Sequence, residues 1–393
     1  MTLPLSGVTV ISLEQAVAAP FATRQLADLG ARVIKIERPV GGDFARRYDA
    51  TVYGQSSYFV WLNRSKESLT LDVKTAEGRH VLDDLLADAD VMVQNLAPGA
   101  ATRLGLDPAS LAERYPRLIP CSISGYGPDG PWADRKAYDL HVQCETGLVS
   151  LTGSPEDMAK VGISVADIAA GMYAYSGILT ALYRRATTGV VSAVDVSLFE
   201  ALAEWMSSPA YYTQYGGRQP ARAGAQHATI APYGPFKAAD GEIVLLAIQN
   251  EREWRSFCAA VLGDPQLVDD DRFATNSARV AHRDALNNVI ANRFAELSAA
   301  IVLDLLNRAG IANSRLNSVS DFLTHPVLAG RDRWRKVATP GGEIQALLPP
   351  ANLTDLEPAM NPVPALGAHT TDILRGLGRT DDDIAALRAG GVV

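Results

Sequence analysis

Short apolar runs alternate with amphipathic stretches through the first half of the chain. Runs dominated by Val, Ile and Leu predict buried strands at residues 7–13, 31–37, 91–96 and 118–124. Between them, the spacing of apolar residues predicts helices at residues 21–29 and 75–89, the first of them closed by Gly30. Strands that alternate with helices in this way predict an α/β fold whose mostly parallel sheet is covered on both faces.

The pattern changes near residue 165. An apolar, strand-like stretch at residues 161–165 gives way to a long helix of small residues, which begins at Ile168, runs to Arg185 and stops before Gly189. The uncharged run at residues 168–183 is shorter than the ~20 residues that a membrane span needs. We therefore predict a buried core helix and no membrane association.

Asp167 stands at the junction between that stretch and the helix, where a carboxylate has two interpretations. Asp is a preferred helix cap, and base rates favour that role. The other role is a nucleophile, and the two are compatible because a helix dipole stabilises the ionised form that attacks. Small neighbours, Ala170 and Gly171, are expected to leave space for a substrate.

The second half predicts a further, smaller domain. A strand at 192–198 and a helix at 199–215 precede a Gly/Pro linker at 216–220. A strand and charged amphipathic helices follow, at residues 242–248, 251–261, 284–297 and 299–308. We predict a large Rossmann-like domain at 1–215, a small α+β domain at 221–325, and a Pro/Gly-rich segment at 326–393 that returns to the first domain and ends in a helix from Asp372.

Composition narrows the class of protein. The chain has 393 residues, of which 47% are hydrophobic and 20% charged, as in ordinary globular proteins. A net charge of −8 without a basic cluster argues against nucleic-acid binding but leaves room for local cations that hold an anionic cofactor. Cys121, Cys144 and Cys258 lack disulfide or metal-ligand spacing, so no metal is expected. Without a signal-peptide pattern at the start, a cytoplasmic location is expected.

A GxGxxG match occurs at residues 125–130, after a predicted strand. Pro128 and Pro131 interrupt the helix that a dinucleotide fingerprint requires, so we favour a turn or a loop around another ligand. No GxSxG, HExxH or P-loop pattern is present. Hydrolase, metalloprotease and kinase functions therefore lack support.

Several segments in order resemble the family III CoA-transferases, the CaiB/BaiF group that includes the formyl-CoA transferases. They are residues 13–20, 29–39, 63–66, 94–99, 124–127 and 165–171. The resemblance implies an interlocked, ring-like homodimer that acts on acyl-CoA and a small carboxylic acid, with Asp167 as nucleophile. It implies contacts to coenzyme A from Gln15, Ala16, Ala18, Arg38, Leu71, Asn95, Arg103 and Lys136.

The implied chemistry is a transfer through Asp167. Its carboxylate attacks an acyl-CoA thioester and forms a mixed anhydride, and the released CoA thiolate then converts the aspartyl group into a thioester. An acceptor carboxylate opens that thioester in turn, so neither ATP nor a metal is required.

Two positions depart from the formyl-CoA transferase branch. Val17 replaces a glutamine, which argues against oxalate or formate chemistry. The stretch at residues 222–227 contains one glycine, Gly224, where that branch has a mobile glycine-rich lid. Small dicarboxylates with a succinyl-CoA-like donor are the preferred substrates, and Arg222, His227 and Tyr233 are candidate neighbours of the acceptor.

Two alternatives remain. An α-methylacyl-CoA racemase would use Asp167 as an acid/base, but racemases carry histidine where Tyr138 stands, unless His141 substitutes for it. An inactive CoA-binding paralogue is the second alternative, and the presence of Asp167 argues against it.

Overall fold

The computed structural model describes residues 2–393, which form two compact units. The first contains the chain as far as Gly147 together with Val161–Ser208 and Arg331–Val393, so the C-terminal segment belongs to it. The second contains Leu148–Lys160 and Pro209–Gly330. The segment Leu148–Lys160 thus differs from the sequence-based boundaries, which place it within 1–215.

The strands are β1 (Thr9–Leu13), β2 (Arg32–Glu37), β3 (Lys66–Thr70), β4 (Val91–Gln94), β5 (Ile119–Ser124), β6 (Val194–Ser197), β7 (Tyr233–Lys237), β8 (Ile243–Ala247), β9 (Ala312–Arg315), β10 (Trp334–Thr339) and β11 (Gly342–Leu347). The α-helices are α1 (Ala18–Asp28), α2 (Ser57–Leu62), α3 (Ala76–Ala87), α4 (Ala100–Arg103), α5 (Pro108–Arg114), α6 (Asp139–Glu145), α7 (Leu148–Leu151), α8 (Val165–Thr188), α9 (Leu198–Trp205), α10 (Ser207–Gly216), α11 (Glu251–Phe257), α12 (Asn276–Ala281), α13 (Arg283–Phe294), α14 (Ala299–Arg308), α15 (Val319–Leu323), α16 (Pro326–Gly330), α17 (Thr370–Gly376) and α18 (Asp381–Ala389). Short 3₁₀ turns lie at Phe44–Arg47 and Pro265–Val268, and a π-helical turn lies at Cys258–Leu262.

A six-stranded sheet organises the first unit. Its strand order is β3-β2-β1-β4-β5-β6 and every neighbouring pair is parallel. Ile11 in the central strand pairs with Ile34 on one side and Met92 on the other, and all three are buried. This is the doubly wound order, in which ligands bind at the carboxyl ends of the strands. The predicted α/β fold with a parallel sheet is confirmed.

The second unit is built on the antiparallel sheet β7-β8-β9. Its core gathers aromatic side chains, among them Trp254, Phe257, Phe273 and Phe294. An antiparallel hairpin of β10 and β11 completes the C-terminal part of the first unit. It was not predicted, because its many polar residues alternate weakly with apolar ones.

Other differences from the predicted elements have local causes. Strand β3 was missed because its sequence is mostly polar, although Lys66 and Ser68 are buried. Residues 161–164 form no strand, and α8 begins directly at Val165. The predicted helix at 199–215 is divided into α9 and α10 at Met206.

Helix α8 is long and apolar enough to cross a membrane by length and composition, and no other helix within residues 2–393 passes that test. A single such helix is weak support for a span, since core helices also pass. Here one face of α8 is buried, including Ala170, Gly171 and Ala174, while Met172 and Tyr173 are exposed. The predicted core helix is therefore buried along one face only.

Gly171 sets the distance between α8 and α1. A Cβ at this position would lie 2.6 Å from the Ala18 carbonyl oxygen and 3.1 Å from Phe21. Gly171 therefore admits the backbone of α1 and leaves no space there for a substrate, contrary to the sequence-based expectation.

We expect Gly171→Ala to lower the free energy of unfolding. Overpacking costs about 1–3 kcal/mol, which exceeds the gain of about 1 kcal/mol that alanine brings to a helix interior. Thermal or urea unfolding measures the change. The matched control is Gly376→Ala in α17, where the added Cβ meets nothing within 4 Å, and this variant should be unchanged or more stable. Equal behaviour of the two variants would contradict the close-approach argument.

Candidate active site

Asp167 occupies the first turn of α8, whose N-terminal cap residue is Ser164. The prediction that Asp167 itself caps the helix is wrong. The acceptor for this helix end is Asp139, whose Oδ1 receives the N–H of Ala166 at 2.8 Å. Because Asp139 lies far away in sequence, at the start of α6, the local pattern gave no sign of it. The carboxylate of Asp167 is left free for another role.

Asp139 is itself held in place. Its Oδ2 accepts a hydrogen bond from Gln143 Nε2 at 2.7 Å, one turn further along α6. The buried Gln143 side chain also accepts the Val161 N–H at 3.0 Å through Oε1. The start of α6 is thereby tied to the segment that leads into α8.

Burial raises the pKa of Asp167 to about 7, and the negative charge of Asp139 adds to the effect. Within residues 2–393, neither a cation nor a hydrogen bond offsets these two causes. The helix dipole was expected to favour the ionised form, but desolvation outweighs it. Asp167 is thus partly ionised near neutral pH, and its carboxylate is poorly solvated when charged.

Tyr48 and Tyr138 belong to the same neighbourhood. Tyr48 is 47% exposed. Its partial burial, followed by the charges of Asp43 and Asp167 and by Tyr138, raises its pKa to about 12. Its phenol therefore keeps its proton at neutral pH. The Tyr48 ring packs edge-on against Tyr58 with centroids 5.6 Å apart. Sequence reasoning missed Tyr48, which follows a 3₁₀ turn and carries no periodic signal.

Tyr138 directly precedes α6, and its exposed ring lies 5.9 Å from that of His141. Gly125 lies against the residue before Tyr138, because a Cβ at position 125 would lie 2.5 Å from the Cβ of Ala137. The glycine-rich loop at residues 125–130 therefore shapes the segment before Tyr138.

A cavity of about 510 Å³ opens at the carboxyl ends of β1 and β2. Apolar side chains form much of its wall, namely Leu13, Ile36, Leu71, Val73, Leu96 and Leu104. Two cations, Arg38 and Lys74, also line it, together with the carboxylates Glu14, Glu37, Asp43 and Asp72. Three of these carboxylates are paired with Lys66, Arg46 or Lys35, so Arg38 and Lys74 remain to attract the anionic part of a ligand whose other part is apolar.

The predicted coenzyme A contacts fall into three groups. Gln15, Arg38 and Leu71 line the cavity. Ala16, Asn95 and Ala18 form the second group, whose members do not line the cavity. Ala16 and Asn95 adjoin Gln15, and Ala18 is buried with its carbonyl oxygen facing Gly171.

Arg103 and Lys136 form the third group, since both are exposed and neither lines the cavity. Arg38 is folded back, because its Nε and Nη2 donate to the Gly42 carbonyl oxygen at 3.1 and 2.8 Å. Within residues 2–393, no group of His, Cys, Asp or Glu side chains is placed to hold a metal ion.

The candidate acceptor residues lie in the second unit. Arg222 donates from Nε to the Ser154 carbonyl and from Nη2 to the Pro155 carbonyl, each at 2.8 Å, so its guanidinium already holds a loop. His227 stacks on Tyr233 with ring centroids 5.2 Å apart. Arg283 donates to the carbonyl oxygen of His227 at 2.8 Å and thereby ties the segment after Gly224 to α13.

Residues 5–370 match the profile described as CoA-transferase family III. The chain belongs to CoA-transferase family III. The resemblance stated from the sequence is confirmed, and the protein is a CoA-transferase that moves CoA from a thioester to a carboxylic acid.

Similar proteins cover nearly the whole of this family III chain. The succinyl-CoA:glutarate CoA-transferase of Homo sapiens is 34% identical over 396 residues, which is 99% of this chain and 90% of that protein. The acetyl-CoA:oxalate CoA-transferase of Acetobacter aceti is 36% identical and covers 87% of this chain and 89% of its own. A crystal structure of a CaiB/BaiF family protein from Brucella suis superposes with a TM-score of 0.84 at 34% identity, covering 96% of this chain and 100% of that one.

We expect Asp167→Asn to stabilise this CoA-transferase at alkaline pH. The pKa of Asp167 is about 7 in the fold and about 3.9 in an unfolded chain. Between about pH 3.9 and pH 7, Asp167 is ionised in the unfolded chain but still protonated in the fold. The free energy of unfolding of the wild type therefore falls relative to that of the Asp167→Asn variant as the pH rises, and the difference levels off above pH 7. The gain at pH 8 should be on the order of 2–4 kcal/mol.

Urea unfolding at pH 5 and pH 8 measures this gain. The control is Asp134→Asn, a substitution of an exposed carboxylate that should change stability by less than about 0.5 kcal/mol at either pH. An Asp167→Asn protein no more stable than wild type at pH 8 would show that Asp167 is not strained by burial.

Proposed function

We propose that the protein transfers CoA between a succinyl-CoA-like thioester and a small dicarboxylate, with Asp167 as the covalent nucleophile. The observation that carries the proposal is the partly buried Asp167 carboxylate, which has no cationic partner and a pKa near 7 in a chain of family III. A structural carboxylate at such a depth is ordinarily paired. An unpaired one is suited to covalent chemistry because its charge is poorly stabilised before it attacks.

The reaction proceeds by four exchanges of an acyl bond. An Asp167 oxygen attacks the thioester carbonyl, the C–S bond breaks, and a mixed anhydride forms as CoA thiolate leaves. The thiolate attacks the aspartyl carbonyl and releases the donor carboxylate, which leaves an aspartyl-CoA thioester. The acceptor carboxylate attacks that thioester and regenerates an anhydride and CoA thiolate. The thiolate then attacks the acceptor acyl carbon and frees Asp167.

Tyr48 is the side chain that we assign to charge stabilisation. With a pKa of about 12, the Tyr48 phenol is protonated at neutral pH. The charge of Asp167 contributes to that pKa, so the phenol lies within electrostatic reach of the Asp167 carboxylate. A protonated phenol can donate a hydrogen bond to the oxyanion of each tetrahedral intermediate. The N–H of Ala166 is already bound to Asp139 and is excluded from that role.

We place the CoA moiety in the cavity at the carboxyl ends of β1 and β2. Leu71 and its apolar neighbours support the uncharged parts of CoA, while Arg38 and Lys74 supply charge for phosphate groups. Arg38 can serve only if it gives up its bonds to Gly42. Arg103 and Lys136 are exposed and free to meet a phosphate beyond the cavity.

A dicarboxylate acceptor is supported by the names of similar proteins, which specify succinyl-CoA, glutarate and oxalate.

We further propose the interlocked homodimer of the family as the active form. Exposed apolar side chains on α8 and α9 support it, including Tyr173, Tyr183 and Trp205. A reducing, cytoplasmic location is proposed from the free thiols of Cys121, Cys144 and Cys258.

Hydroxylamine trapping tests the nucleophile. Incubation with succinyl-CoA followed by hydroxylamine should place a hydroxamate on the peptide that contains Asp167, as identified by mass spectrometry. Adduct formation should fall as the pH drops below about 7, because only the ionised carboxylate attacks. Asp167→Asn should give neither adduct nor transfer. Exchange of α-hydrogen for deuterium without CoA transfer would instead establish the racemase alternative and overturn the proposal.

The homodimer is tested by light scattering on active protein. The expected mass is twice the 41.9 kDa of the chain. Full activity at the mass of a single chain would refute the obligate dimer and would leave the trapping result unaffected.

A further inference from the structure

Four charged side chains are fully buried among β1, β2, the start of β3 and the loop that follows β2. They are Glu14, Lys35, Asp43 and Lys66. Lys66 Nζ lies 2.6 Å from Glu14 Oε1, Lys35 Nζ lies 3.4 Å from the same oxygen, and Lys35 also reaches Asp43 Oδ2 at 2.8 Å. The two cations and two anions form a continuous chain of ion pairs, which we name the buried tetrad.

The tetrad ends on the backbone of Ala16. Asp43 Oδ1 accepts the Ala16 N–H at 3.1 Å and the Ala45 N–H at 2.9 Å. Ala16 has φ 63°, a left-handed conformation that an alanine seldom adopts because of its Cβ. The hydrogen bond that the Ala16 N–H donates to the fixed Asp43 carboxylate holds the residue in this unfavoured conformation.

The neighbouring residue, Gln15, is held from the opposite side. Asn95 Oδ1 accepts the Gln15 N–H at 2.9 Å, and Asn95 Nδ2 donates to the Gln15 carbonyl oxygen at 2.9 Å. Two side chains thus fix the turn at Gln15–Ala16, namely Asn95, which follows β4, and Asp43, which follows β2. Gln15 itself lines the cavity.

We propose that Asp43 is a positioning residue for CoA, whose carboxylate is anchored by Lys35 and clamps the Gln15–Ala16 turn against the cavity. The inference rests on the proposed function in one respect, since it takes this cavity as the CoA site. Asp43 also lies near the nucleophile's surroundings, because its charge acts on Tyr48 together with that of Asp167. It does not touch the reacting atoms.

The role is specific to Asp43 within its cluster. Glu14 also lines the cavity, but its side chain bonds the two lysines and the Thr23 hydroxyl and accepts no N–H of the turn. Lys66 likewise ends on the Pro20 carbonyl oxygen and Asn63. Asp43 alone among the four accepts an N–H of the turn that borders the cavity.

The test measures CoA binding by isothermal titration, which requires no transfer chemistry. Asp43→Ala should weaken CoA binding by roughly tenfold to a hundredfold, because the turn loses its anchor. Adding Ala16→Gly should recover about fivefold, since glycine adopts positive φ without a steric penalty. The KM for acyl-CoA should rise in parallel, while the KM for the acceptor acid stays unchanged.

The matched control is Asp28→Asn, which removes another buried carboxylate that bridges two cations, Arg24 and Arg64, away from the cavity lining. It should lower the melting temperature without weakening CoA binding. Should Asp43→Ala fail to fold, Asp43→Asn is the second variant. It keeps the side-chain volume and one acceptor oxygen but replaces the oxygen that pairs with Lys35 by an NH₂ group. The same selective rise in the KM for acyl-CoA is expected.

Three results would overturn the proposal: CoA binding by Asp43→Ala as tight as that of wild type, equal weakening by Asp28→Asn, or no recovery with Ala16→Gly. These outcomes are separable from failure of the proposed function. A wild-type protein that binds CoA but forms no hydroxamate refutes the nucleophile and leaves the titration intact. Unaltered binding by Asp43→Ala refutes the clamp and leaves the trapping experiment intact.

Discussion

The carboxyl end of the sheet depends on the pairing of buried charge. Lys35 and Lys66 lie within strands β2 and β3 and have no solvent contact, so each would cost several kcal/mol if left without a partner. Glu14 at the end of β1 and Asp43 beyond β2 supply the partners. Because Lys66 is the first residue of β3 and Glu14 follows the last residue of β1, their pairing joins the start of one strand to the end of another across β2. Through Asp43 the same chain of ion pairs holds the loop after β2, which borders the cavity.

A second constraint sets the position of Asp167, the nucleophile that we propose. Helix α8 packs closely on α1 because Gly171 admits the Ala18 carbonyl oxygen. This contact sets Asp167, one turn earlier, at the depth where burial raises its pKa. Asp139 accepts the N–H of the buried Ala166 in the first turn of the helix, so Asp167 does not serve as the cap. Packing and capping together leave a carboxylate that is partly buried, unpaired and available.

Much of the fold was predictable from the sequence because strands β1, β2, β4 and β5 are mostly apolar, as is typical of strands buried on both faces. Strand β3 escaped prediction since its buried Lys66 and Ser68 are matched by partners from distant residues, which local periodicity cannot register. The site divides in the same way. The local pattern singled out Asp167, and the family resemblance supplied its expected role together with Gln15, Arg38 and Leu71. Tyr48 and the capping role of Asp139 arise from tertiary contacts.

Three acidic side chains of one unit show how surroundings rather than residue type assign a role. Burial raises the pKa of Glu37, but hydrogen bonds from Arg46 and the charge of Lys35 outweigh it and lower the value to about 2. Asp43 is held 2.8 Å from Lys35 and is committed to the backbone of Ala16. Asp167 has burial and a like charge but no cation, and its pKa moves in the opposite direction, to about 7. A carboxylate already stabilised by a cation gains little by forming an acyl bond, whereas an unpaired one loses an unfavourable charge when it does so. Within residues 2–393, the fold thus distinguishes Asp167 from Glu37 and Asp43 by placing no cation beside it, which suits the nucleophilic role that we propose.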